Sequence, residues 1–125
     1  MRSRTSAASP PSLHAIAVRV DERLARLFDA EITRWEAVDP AIAAPLRALR
    51  HLVDAGGKRL RPAFCHWAIV GAGGDPDDPR IIDAGAAFEL LHAFALLHDD
   101  VMDGSDTRRG TATTHVEFGR EHQAA

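Results

Sequence analysis

The chain has 125 residues, 46 % of them apolar and 26 % charged, which suits one domain with a real core, or part of one. A formal net charge of −3 removes the electrostatic case for a nucleic-acid partner. The single cysteine, Cys65, excludes a disulfide framework and a cysteine-based zinc site, so a reducing, cytoplasmic location is expected.

The opening "MRSRTSAASPPS" is rich in Ser, Pro and Ala and lacks the apolar stretch of a secretory signal, so residues 1–12 are expected to form a disordered tail. Residues 13–125 read as one helical unit. A first helix, from 13 to about 38, carries Ile16, Val20, Leu24, Leu27, Phe28, Ile32 and Trp35 at three-to-four spacing. Pro40 interrupts it. A second helix, about 41–54, follows on Ile42, Leu46, Leu49 and Val53, and Gly56-Gly57 stops it. After "KRLRP" a third helix is expected over about 60–70, with Pro62 in its first turn. "GAGGDPDDP" is a loop, and Asp78-Pro79 suits the start of a long fourth helix that runs to about Met102. "GSDTRRGTATT" reads as an exposed loop before a short fifth helix near Thr114. With no alternating strand pattern, the fold class is all-α. The most apolar window, residues 81–97, contains Asp83, Glu89 and His92, which argues for a buried helix and against a membrane span.

The chemistry concentrates in "LLHDDVMDGSDTRRG", residues 96–110. Asp99, Asp100, Asp103 and Asp106 repel one another, and carboxylates at a helix C-terminus also oppose its dipole. A solvated helix end is the bland explanation. A bound cation removes the penalty. On an ideal helix Phe88, His92, Ala95, Asp99 and Asp103 fall within about 80° of one face. Asp99 and Asp103 stand one turn apart, about 6 Å of rise, while Asp100 points about 100° away and can only assist from the side. All-oxygen ligands of this kind suit Mg²⁺, or Mn²⁺, with a substrate diphosphate completing the set. A calcium loop fails, because it would place Val101 and Gly110 where carboxylates are needed.

A second cluster, "GGKRLRP", sets Lys58, Arg59 and Arg61 at a turn into a helix, a reasonable anion site. Lys58 is the only lysine beside fourteen arginines, which hints at a local need for a point charge. Arg108-Arg109 adds a further pair of cations.

In order and separation, "GGKRLRP", "LLHDDVMDGSDTRRG" and "TATTH" resemble the basic motif, first aspartate-rich motif and trailing loop of the trans-type polyprenyl diphosphate synthases. The likeness covers roughly residues 46–118. It implies an antiparallel helical bundle of the isoprenoid synthase type, truncated here to about five helices. It also implies a prenyltransferase that condenses isopentenyl diphosphate with an allylic diphosphate, giving a short product, geranylgeranyl or farnesyl diphosphate. Carried over by residue, Lys58, Arg61 and His92 bind the isopentenyl diphosphate, with Arg109 completing that site. Asp99 and Asp103, assisted by Asp100, hold the magnesium, and Arg108 contacts the allylic diphosphate. Phe94 acts as a floor to the growing chain, and Ala95 leaves room beside it. A homodimer is the family's usual assembly.

Family members are longer, with a second aspartate-rich motif that the residues after His115 do not supply. The expectation is therefore an N-terminal portion of such an enzyme, inactive alone, with an exposed apolar patch that promotes association. A non-catalytic partner subunit and a fragment of a terpene cyclase are the alternatives.

Overall fold

In a computed structural model the structure describes residues 11–104, 107–108, 111–113, 115–116 and 119–120. Four helices make the body: α1 (Leu13–Glu36), α2 (Pro40–Asp54), α3 (Leu60–Gly71) and α4 (Pro79–Met102). A two-residue antiparallel pair, β1 (Thr107–Arg108) with β2 (Thr111–Ala112), follows in the stretch read from sequence as plain loop. The fold class is all-α, as expected, with four helices among the described residues where about five were anticipated. Around the expected fifth helix, residues 115–116 and 119–120 have helical backbone, and the rest of that stretch lies outside the described residues.

Local chemistry sets the helix ends. Ser12 Oγ accepts from the Ala15 amide at the start of α1. Ser12 and Pro11 were assigned to the tail, but Pro11 is also engaged, its carbonyl accepting from Trp67 Nε1 at 2.8 Å. The remainder of that tail, residues 1–10, lies outside the described residues. Asp39 and Asp78 cap α2 and α4, each followed by a proline whose missing N–H costs nothing at a first helical position. Gly56 (φ +90°) and Gly104 (φ +65°) supply the left-handed residues that follow α2 and α4.

Helices α1 and α4 form a central pair, and each also packs against α2 and α3. Ile16, Val20, Leu24 and Phe28, four residues apart on α1, bury one stripe against Val53 of α2, Ala63 of α3 and Ile82, Ala86 and Ala93 of α4. On α2 the buried position near the start is Ala43. Ile42, one residue and about 100° round the helix from it, is left 44 % exposed, contrary to the sequence pattern. Gly85 brings α4 close to the first turn of α3: a methyl group there would lie 3.1 Å from Pro62 Cβ and 3.5 Å from Val20 Cγ2. This contact seats the basic turn that precedes α3 against the middle of α4.

By length and composition alone, α4 is the one described helix apolar enough to cross a bilayer. Only one side of it is covered here. Ile81, Ile82, Gly85, Ala86, Glu89 and Ala93 face the bundle, whereas Phe88, Leu91, Phe94, Val101 and Met102 are exposed, as is Phe64 of α3. The apolar patch expected from the sequence is thus present on the α3–α4 side.

His66, on α3, is fully buried, and neither ring nitrogen has a hydrogen-bond partner among the described residues. Burial pushes its pKa below the ordinary 6.5, Arg19 adds to the shift, and Asp77 opposes it.

Two outcomes are expected from this packing. Gly85→Val should overpack the α3–α4 contact and lower stability by about 1–3 kcal/mol in urea denaturation. Because folded His66 resists protonation, the unfolded chain gains protons first below pH 6.5, so stability should fall as pH drops from there and level off beneath the lowered value. The urea midpoint of His66→Leu should accordingly move less between about pH 7.5 and about pH 5 than that of the parent. Equal movement in both would assign the pH dependence to other groups.

Candidate functional site

The two motifs meet where α3 begins and α4 passes. Here the chain leaves α2 through Gly56 and Gly57, and Arg59 stands just ahead of α3 in the left-handed region, at φ 53°. That conformation costs a non-glycine residue about 1–3 kcal/mol and persists only when its surroundings hold it. The Arg59 side chain supplies the hold. Its Nε donates to Asp21 of α1 at 2.8 Å, Nη1 to Glu89 of α4 at 2.8 Å, and Nη2 to the Val53 carbonyl of α2 at 2.9 Å. Burial alone would lower the guanidinium pKa, but Asp21 and Glu89 more than offset it, and Arg59 stays protonated.

This turn leaves Lys58 and Arg61 exposed and presents them, with half-buried His92 of α4, to one cleft of about 140 Å³. Neither Lys58 nor Arg61 pairs with a described carboxylate, whereas Arg23, Arg34, Arg47, Arg50, Arg59 and Arg80 all do. Among the described residues Glu89 is the only acidic one lining the cleft, and Arg59 pairs with it. Of the four residues assigned to the isopentenyl diphosphate, Lys58, Arg61 and His92 are therefore brought together in the fold, while Arg109 lies outside the described residues. These three form a polar concavity with unpaired positive charge, the setting in which an anion gains charge-assisted hydrogen bonds.

Beside the cleft lies an apolar groove of about 790 Å³ between α3 and α4, lined among others by Phe64, Ile69, Phe88, Leu91 and Ala95. A cationic cleft thus lies beside a hydrocarbon-lined trough, with Arg61 and His92 common to both walls. Of the two residues expected to limit chain length, Ala95 lines this groove. Phe94 does not line it: it is 55 % exposed and lies against His98, ring centroids 4.0 Å apart and planes tilted by 43°.

The aspartates separate by face. Asp99 and Asp103 are both exposed and make no ion pair with a described residue. Asp100 is 2 % exposed, turned into the protein. Among the described residues no group of three or more His, Cys, Asp and Glu side chains could hold a metal ion. Asp100 thus stands on a different face of α4 from Asp99, because one step along a helix turns a side chain about 100°. The two that remain are oxygen donors one turn apart. They fit a hard divalent cation that keeps several waters and takes its other ligands from a phosphate. The side chain of Arg108 and all of Arg109 lie outside the described residues.

The sequence reading counts Arg59 among the cations of the basic turn and Glu89 only as a break in the apolar window, and does not pair them; the structure turns Arg59 inward onto Glu89 instead. The available signal was Glu89 itself, a carboxylate within the most apolar segment, which requires a cationic partner once buried.

A family model described as polyprenyl synthetase matches residues 44–124. The chain is 46 % identical over 74 residues to the short chain isoprenyl diphosphate synthase of Methanothermobacter thermautotrophicus, covering 59 % of this chain and 22 % of that protein. Against the geranylgeranyl diphosphate synthase of Methanosarcina mazei it is 48 % identical over 73 residues, 58 % of this chain and 22 % of the relative. The Methanocaldococcus jannaschii short chain isoprenyl diphosphate synthase is 37 % identical over 100 residues, 79 % of this chain and 29 % of its own length. The chain therefore spans less than a third of these curated relatives. No solved structure matches it. The matched span includes the basic turn, the cleft and the aspartate-bearing end of α4, and the chain belongs to the polyprenyl synthetase family.

Proposed function

We propose that this chain forms the isopentenyl-diphosphate-binding wall of a short-chain prenyltransferase, together with its first two metal-binding carboxylates. The carrying observation is the junction at Arg61 and His92, where an unpaired cationic cleft adjoins an apolar groove. An amphiphile with a diphosphate head and a short hydrocarbon tail has this same division of polarity. The names of the relatives, short chain isoprenyl and geranylgeranyl diphosphate synthases, agree with such a substrate.

In this proposal Lys58 and Arg61 neutralise the diphosphate of isopentenyl diphosphate, and His92 supplies a third contact from α4. Arg109 completes that site, and Arg108 contacts the diphosphate of the allylic co-substrate. Asp99 and Asp103 would hold magnesium against the allylic diphosphate; when bound, the ion supplies charge neutralisation for the departing diphosphate. The groove side of α3 and α4 shields the hydrocarbon and excludes water while the allylic carbon is attacked by the isopentenyl double bond and a proton is lost. Ala95 leaves the groove open at its side of α4, which suits a product of geranylgeranyl or farnesyl length. A cytoplasmic homodimer is the proposed setting of the whole protein.

Titration calorimetry with isopentenyl diphosphate provides the test. Lys58→Ala and Arg61→Ala should each weaken binding by about 10- to 100-fold, the worth of one charge-assisted hydrogen bond. Unchanged affinity in both variants would reject the cleft as the diphosphate site. Independently, uptake of an allylic diphosphate should require magnesium and be lost in the double variant Asp99→Asn with Asp103→Asn. Magnesium-dependent uptake by that double variant would remove the two aspartates from the site.

A further inference from the structure

Arg59 carries none of the ligand roles above, yet its side chain donates hydrogen bonds to three different helices. It adopts a left-handed backbone that glycine would adopt freely, and it spends its guanidinium on α1, α2 and α4 at once. Its chain neighbours explain the value of such a clamp. Lys58 precedes it directly and Arg61 follows two residues later, both exposed on long stems with many rotamers. Glu89, at the other end of the buried ion pair, stands three residues before His92 on α4. The pair therefore ties the turn bearing two of the cleft's polar contacts to the helix bearing the third.

We propose that Arg59 is a positioning residue for diphosphate recognition: anchored on Glu89, Asp21 and the Val53 carbonyl, it holds the strained turn so that Lys58 and Arg61 converge with His92 on one anion. This rests on the cleft being a diphosphate site. The clamp also cancels the charge of Glu89, which would otherwise repel the ligand from the cleft floor. A displacement of about 1 Å in a ligand-holding turn is enough to lose much of the binding it organises.

Pyrophosphate is the probe, titrated into the chain without divalent ions so that Asp99 and Asp103 stay out of the measurement. Glu89→Met removes a negative charge from the cleft, so a purely electrostatic role predicts tighter binding; positioning predicts binding weaker by several-fold. Arg59→Gly suits the backbone but leaves Glu89 buried and unpaired, so it is not tested alone. The double variant Arg59→Gly with Glu89→Met removes both partners, so no uncompensated charge is left in the core. With its folding at the assay temperature checked by circular dichroism, it should bind pyrophosphate about ten-fold more weakly than the parent. Arg50→Gln breaks another interhelical ion pair, to Asp29, away from the cleft, and should bind as the parent does. Binding by the double variant within about two-fold of the parent, or tighter binding by Glu89→Met, would overturn the positioning role alone. Failure of the unaltered chain to take up pyrophosphate would overturn the diphosphate site and this role with it.

Discussion

The buried guanidinium of Arg59 is the constraint on which the rest of the site depends. Three helices contribute an acceptor to it, and a single left-handed residue is the hinge from which α3 departs. Exposed ion pairs elsewhere, such as Arg23 with Asp83 or Arg47 with Glu36, add little to stability because water competes for both partners. The Arg59–Glu89 pair differs because both side chains are nearly excluded from solvent. Each ion desolvates the other, and either one alone would be an uncompensated charge in the core. The backbone strain at Arg59 and the burial of Glu89 are thus mutually justified: neither is favourable without the other.

From that clamp the division of polarity follows. The turn it holds puts unpaired positive charge at the mouth of the cleft, and α4 continues past it as an apolar rod with its outer side uncovered. Helix α4 therefore has two duties along its length. Its inner edge of Ala86, Glu89 and Ala93 closes the four-helix core, while His92, Ala95, Asp99 and Asp103 look outward. The small residues on the inner edge, Gly85 above all, let α3 approach closely enough for Arg61 and His92 to share both cavities.

Much of this was legible in the sequence, for identifiable reasons. Four-residue spacing on α1, the break at Pro40, the Asp78-Pro79 start of α4 and the glycines after α2 and α4 are local signals, and the helices observed begin and end within a few residues of where those signals place them. The stripe of His92, Ala95, Asp99 and Asp103 is helix geometry and needs no tertiary information. Less legible were the features that depend on what a residue meets. Ala43 is buried where Ile42 was expected, and Phe94 lies against His98 beside the groove.

The chain's own residue order determined the helices, the face on which the aspartates stand and the nearness of cations to one another within "GGKRLRP", because each depends on dihedral preference and periodicity over a few residues. Tertiary structure alone decided that Arg59 turns inward while Lys58 and Arg61 turn out, since nothing in the local order of three cations within four residues marks one for burial until acceptors arrive from Asp21, Val53 and Glu89. It likewise brought His92 to the basic turn across 34 residues of chain, counted from Lys58, because that meeting is fixed by how closely α3 can lie on α4.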